Sequence, residues 1–190
     1  MKTMKLLSAL MALLMIIGLL TACGGSANTN DAPKDADTAE ADAQVAEAPL
    51  HCGWYYANIP DGFTATDEEE AEFETADGKK TISCYLFSTF SDTPDAAAVA
   101  AEKVEDSDFY TLGDPVTIGD YTWQVVNFTW DDDAPCCDLY ADIYEGRYAE
   151  VTMFGLTPDD AEAKVFLESF KLKEGDPDDN QQAFYGELYQ

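Results

Sequence analysis

Large apolar side chains fill the chain from Leu6 to Leu20 and all but vanish from Gly24 to Pro49, where Val45 stands alone. They return abruptly at Leu50, with Trp54, Tyr55, Tyr56, Ile59 and Phe63 in quick succession. From there β-branched and aromatic runs alternate with polar positions and are bounded by turn residues, the pattern of half-buried strands. Strands are expected near 54–59, 71–75, 80–90, 109–118, 121–130, 137–145 and 147–156. Asp77-Gly78, Gly119-Asp120 and Glu145-Gly146 fall where tight hairpin turns are needed. Two helices interrupt the strands. Thr93-Pro94-Asp95 opens one that runs to about Glu105, with Thr93 as its cap, and Thr157-Pro158-Asp159-Asp160 opens another that runs to about Phe170. On the second, Ala161, Val165, Phe166 and Phe170 recur at helical spacing and form the expected packing face. The fold class is therefore α+β, with about six to seven antiparallel strands flanked by two helices over residues 50–173. Residues 174–190 read as an acidic, frayed tail, in which Phe184, Tyr185 and Tyr189 are available to dock.

The first 22 residues form three zones. Lys2 and Lys5 supply a positive front, Leu6 to Leu20 an apolar run, and Leu20-Thr21-Ala22-Cys23 a short box followed by Gly24 and Gly25. The apolar run is shorter than the ~20 residues a membrane-spanning helix needs. This opening resembles the lipobox leader of bacterial prolipoproteins. The resemblance implies recognition of Leu20, Thr21 and Ala22 by the signal peptidase, cleavage before Cys23, and diacylglycerol joined to the Cys23 sulfur. Residues 1–22 are then a lipoprotein signal peptide, and 23–49 an acidic, Ala-rich, disordered linker behind the lipid. The expected location is the outer face of a bacterial membrane in the cell envelope, reached through a fatty-acylated anchor. No cofactor is expected apart from that covalent lipid.

Charge narrows the function. With 38 acidic and 10 basic residues the chain carries a net charge of −28. That excludes nucleic acid as a partner, because such binding needs a basic footprint. It also opposes unaided adsorption to anionic lipid, so the membrane is a partner only through the anchor. The acidic runs Asp67–Glu70 and Asp131–Asp133 read as solvated turns. Asp176, Asp178, Asn180 and Glu187 imitate the spacing of a calcium loop, but Gln181 replaces its turn glycine and too little chain follows for the exiting helix.

The succession of three strands, a helix, four strands and a terminal helix resembles the PsbP-like fold. So do the opening Trp54 to Phe63, which contains Ile59-Pro60-Asp61-Gly62-Phe63, and the closing Phe166-Leu167-Glu168-Ser169-Phe170-Lys171. The resemblance implies an antiparallel sheet flanked by helices and supplies no catalytic motif. It does not by itself fix a function.

Beyond Cys23 the cysteines are Cys52, Cys84, Cys136 and Cys137. In an exported protein an even count reads as two disulfides. A bridge between the adjacent Cys136 and Cys137 is strained, and strand parity favours Cys84–Cys137 with Cys52–Cys136. The alternative for Cys84 is a buried free thiol. His51, Cys52, Cys136 and Cys137 form a poor zinc set because two ligands are adjacent, and no metal is expected. With one histidine and no nucleophile–base pattern around it, the sequence carries no catalytic residue and the chain is not read as an enzyme. The remaining signal is aromatic. Tyr85 and Phe87, like Tyr140 and Tyr144, alternate with the core-facing positions of their strands. Either helices cover both sheet faces, or an aromatic patch is left to bind a protein or glycan partner. The expected function is a lipid-anchored, non-enzymatic binding or scaffolding module. The alternatives are a solute- or metal-binding lipoprotein serving a transporter, or an unrecognised secreted hydrolase.

Overall fold

The computed structural model describes residues 48–190 apart from 106, 131 and 132. The lipobox, Cys23 and the linker as far as residue 47 lie outside the described residues. Among the described residues the architecture is α+β: an eight-stranded, antiparallel-paired sheet, a separate three-stranded sheet and three helices. In chain order the elements are β1 (Leu50–His51), β2 (Tyr55–Tyr56), β3 (Phe63–Ala65), β4 (Glu72–Thr75), β5 (Thr81–Ser88), α1 (Ala96–Glu105), β6 (Thr111–Leu112), β7 (Val116–Ile118), β8 (Tyr121–Trp130), β9 (Ala134–Tyr144), β10 (Arg147–Phe154), α2 (Ala161–Ser169), β11 (Lys171–Leu172) and α3 (Pro177–Leu188).

The large sheet runs β3-β4-β5-β10-β9-β8-β6, with β7 also on β8. Its long central strands form because their apolar residues alternate. Ile82, Cys84 and Leu86 of β5, Val151 and Met153 of β10, Cys137, Leu139 and Ala141 of β9, and Trp123 and Val125 of β8 all point into one core. The expected hairpin turns are present, with Gly78, Gly119 and Gly146 at positive φ, the conformation glycine adopts without steric cost. The expected strand over 109–118 is instead two pieces. Leu112 pairs with Val126 but Val116 with Trp123, so one strand carries an extra residue at Gly113-Asp114-Pro115, a bulge forced by a proline that cannot donate to the ladder.

The second wall of that core is α2 together with the small sheet, ordered β1-β2-β11. The buried face of α2 is Ala163, Phe166 and Leu167, continued by Phe170, while Val165 and Ala161 point outward. That is a rotation from the expected face, and it sets Phe166 and Phe170 against Trp54 and Tyr55. On the opposite face of the large sheet lies α1. Its cap is Asp95 rather than Thr93: the Asp95 carboxylate accepts from the Ala98 N–H at 2.8 Å, and Asp142 of β9 accepts from the Ala96 N–H at 2.9 Å.

The acidic tail is a third helix. Asp176 caps α3 by accepting from the Asp178 N–H at 2.9 Å, with Pro177 at the first helical position. Asp178 pairs with Arg147, and the Tyr185 and Tyr189 hydroxyls donate to Glu69 at 3.1 and 2.5 Å. The calcium-like spacing is thereby accounted for. Asp176 is a cap, Asp178 an ion-pair partner, and Asn180 donates to the Glu174 carbonyl.

Candidate functional site

The four described cysteines are unpaired, buried thiols, so the expected disulfides are absent. The physical reason is strand order. Cys84 lies opposite Val151 and Cys137 opposite Met153, so all of β10 stands between them. Two strand spacings are about 9.6 Å, beyond the ~7 Å limit for a bridge. Cys52 belongs to the same main core as Cys137, whereas Cys136 points to the other face and contacts the Ala134 carbonyl. Burial, with Asp67, Glu69 and Glu70 nearby, pushes the Cys52 thiol up to about 12. Burial and Asp138 do the same to Cys137. These are poor nucleophiles. A thiol reagent is expected to label none of the four in the native chain within minutes and all four after unfolding without reductant. Fewer than four in the unfolded state would restore a bridge.

His51 is buried. Its Nε2 donates to the Ala57 carbonyl at 2.9 Å and its Nδ1 lies 2.8 Å from a Glu70 carboxylate oxygen. With both nitrogens engaged and Cys136 on the other face, the four residues weighed as a zinc set are not brought together. Among the described residues no three His, Cys, Asp or Glu side chains converge as metal ligands.

The aromatic positions lead to a surface. Tyr85 and Phe87 of β5 are 42% and 41% exposed on the α1 side of the large sheet, and Tyr144 at the end of β9 is exposed as well. Tyr140 shares their face but is buried, because α1 lies over β8 and β9 with Ala96, Ala100, Val99 and Val104 against Tyr140, Tyr148 and Val126. Thus α1 covers β8, β9 and the Tyr148 end of β10, and leaves β5 and the half-buried remainder of β10 uncovered. At the border of the open half Phe87 stacks on the buried Tyr148 with centroids 5.6 Å apart and planes at 23°, and Tyr85 adjoins Phe87 at 6.5 Å. At the other end of β10, Phe154 meets Trp130 edge-on at 5.7 Å and Phe128 at 5.7 Å. Trp130 is 57% exposed.

Between the covered and open halves sits a polar cluster that the sequence reading missed. Asp138, only 3% exposed, accepts from the Thr152 hydroxyl at 2.7 Å and pairs with Lys103 of α1 at 3.3 Å. The Lys103 ammonium also lies 4.9 Å from the centre of the Tyr110 ring. Burial alone pulls Lys103 down, but Asp138 and Glu150 outweigh it and hold the ammonium above its ordinary value. This pairing docks the helix on the sheet. The available signal was Lys103 itself, the only basic residue between Lys80 and Arg147. Glu150 of β10 accepts from the Tyr140 hydroxyl at 3.4 Å and borders the open half.

No family model matches the chain, and no curated protein does. Among solved structures it is similar to a protein of Bacteroides thetaiotaomicron, with a TM-score of 0.45 and 15% identity over 67% of this chain and 48% of that one. The chain spans less than half of that protein's length.

Glu150 gives the site a pH signature. Burial, then Asp138, raise its carboxyl above the usual range, with Lys103 and the Tyr140 hydroxyl opposing them. A raised folded-state pKa means that this residue's stabilisation is complete at acid pH and is lost as pH rises through the folded value. At neutral pH the ionised carboxylate therefore costs stability. Glu150→Gln keeps an acceptor for Tyr140 and removes that cost. The variant is expected to melt above the parent at pH 7 and together with it near about pH 4. A gain of equal size at both pH values would contradict the assignment.

Proposed function

We propose that this chain is a lipid-anchored extracytoplasmic binding module with a PsbP-like domain. Cys23, carrying diacylglycerol, holds it at a bacterial membrane, and the open half of the large sheet's α1 face engages a protein or glycan partner. The observation that carries the reading is the exposure of Tyr85 and Phe87 side by side on a regular, centrally placed strand. Large side chains in that position are normally covered by a helix, and here α1 reaches β8, β9 and Tyr148 of β10 but not β5. An antiparallel sheet with helices on both faces supports the PsbP-like part of the proposal.

The anchor follows from physical need as well as from the lipobox. An acidic chain of net charge −28 is repelled by anionic lipid, whereas two acyl chains hold a protein durably. The test pairs two variants in cells. Cys23→Ala is expected to move the protein from the membrane fraction to the soluble one or leave it as precursor. Tyr85→Ser/Phe87→Ser is expected to stay membrane-bound but lose its partner. Cys23→Ala protein that fractionates as the parent does would overturn the anchor, and undiminished partner association by the double variant would overturn the binding face.

A further inference from the structure

Resting on that reading of the face, we propose that its occupant is a cationic amphipathic helix of another protein, seated beside α1. The first argument is shape. From Phe87 to Thr81, β5 takes six residue steps, about 20 Å at ~3.4 Å each, which matches about 13 residues of helix at ~1.5 Å each. From β4 across β5 to β10 the open half is about 10 Å wide, the diameter of a helix. The twisted sheet already seats α1 on the adjoining strands, so the uncovered strip is a second berth of the same kind.

The second argument is the distribution of apolar and charged groups. Aromatic anchors stand at both ends of the strip, the exposed Tyr85 and Phe87 at one, with Phe87 stacked on the buried Tyr148, and Phe154 with the exposed Trp130 at the other. Between and beside them are carboxylates. Glu150 pairs in register with Tyr85, Glu72 with Ser83 and Glu74 with Thr81, which puts all three on this face. The basic side chains of the adjoining segments are already paired, Lys103 with Asp138, Lys80 with Glu162 and Arg147 with Asp178. A helix with apolar residues at i, i+3, i+4 and i+7 and Lys or Arg along its flanks meets both sets of groups, with cations over the aromatic faces and beside the acids.

Charge also removes the nearer occupants. The chain's own segment from Gly24 to Pro49 has Val45 as its single sizeable apolar residue and carries six acids against Lys34. A second copy brings a net charge of −28 against the same acidic strip.

The experiment uses the mature chain in detergent and three probes: a 14-residue Lys/Leu/Phe amphipathic peptide, its Glu-for-Lys counterpart, and a neutral N-acetylglucosamine hexasaccharide. The cationic peptide is expected to bind and gain helical circular dichroism. Its affinity should fall at least about tenfold in Tyr85→Ser/Phe87→Ser and several-fold in Glu72→Gln/Glu150→Gln. The Glu peptide should not bind. Glu168→Gln, on the outer side of α2, controls for general acidity and should change little. Each variant's melting curve shows that it is folded. Equal binding by parent and Tyr85→Ser/Phe87→Ser would reduce the effect to non-specific charge and overturn the proposal, as would absence of binding. Hexasaccharide binding that the double variant abolishes, with the cationic peptide silent, would overturn the helix and leave the binding face standing.

Discussion

Replacing Phe170 with alanine is expected to destabilise the domain by about 3–5 kcal/mol, the usual cost of truncating a fully buried aromatic residue. Phe170 is the point where the three walls of the main core meet. Its ring lies 6.1 Å from Trp54 and 5.4 Å from Tyr55 of the small-sheet region, 5.3 Å from Tyr121 and 5.4 Å from Trp123 of β8, and 6.3 Å from Phe166 of α2. Neighbours from three separate elements cannot all collapse into one void, which places the loss at the upper part of that range. Against a total stability of about 5–15 kcal/mol the change consumes a large share. A melting temperature lower by roughly 10–15 °C is expected for a domain of this size. Phe170→Leu, which keeps most of the volume, should lose less than half as much. A drop of under about 3 °C for Phe170→Ala would contradict the packing described for α2 and the small sheet.

Gly53→Ala should be almost as damaging, for a different reason. Gly53 has φ +74°, a conformation that costs an L-residue about 1–2 kcal/mol. A Cβ there would also overlap the Phe184 Cβ and stand 2.8 Å from the Asn180 carbonyl oxygen, so α3 would have to move. Gly62 supplies the control, with φ +89° and open space around its Cβ position. Gly62→Ala is expected to cost only the backbone strain, about 1–2 kcal/mol. Gly53→Ala adds overpacking and lost helix contacts, for a total of about 2–5 kcal/mol. It should also expose Phe184 and Tyr185 to chymotrypsin at least several-fold faster. Equal costs at the two glycines, with α3 still protected, would show that the helix is not seated on Gly53.

The unequal legibility of these features has physical causes. Strands β5, β8, β9 and β10 were readable because one face is buried along their length, and a buried face imprints period-two alternation on the sequence. Parity placed Cys84 and Cys137 on one core face correctly, yet carried no information on neighbours, and the insertion of β10 between β5 and β9 removed the bridge. Of the small sheet only β2 was legible, inside the strand expected near 54–59; its two-residue partners β1 and β11 have no period to read. Helix α3 was hidden by its composition. It docks with Phe184, two tyrosine hydroxyls and one aspartate rather than with an apolar stripe. In the candidate site, the shared face of Tyr85, Phe87, Tyr140 and Tyr144 was legible. Which of them α1 covers was not, because that depends on Lys103 reaching Asp138 across the chain fold.

The central claim is that the open half of the sheet face is where this protein meets its partner, and site-directed photo-crosslinking in cells tests it most directly. A diazirine amino acid at position 87 reports on the open face. The same group at position 165, where Val165 is exposed on the outer side of α2, reports on a surface with no assigned role. Light is expected to give a discrete, membrane-associated adduct from position 87 and none from position 165. Adducts of equal yield from both positions, or an adduct from position 165 alone, would contradict the account.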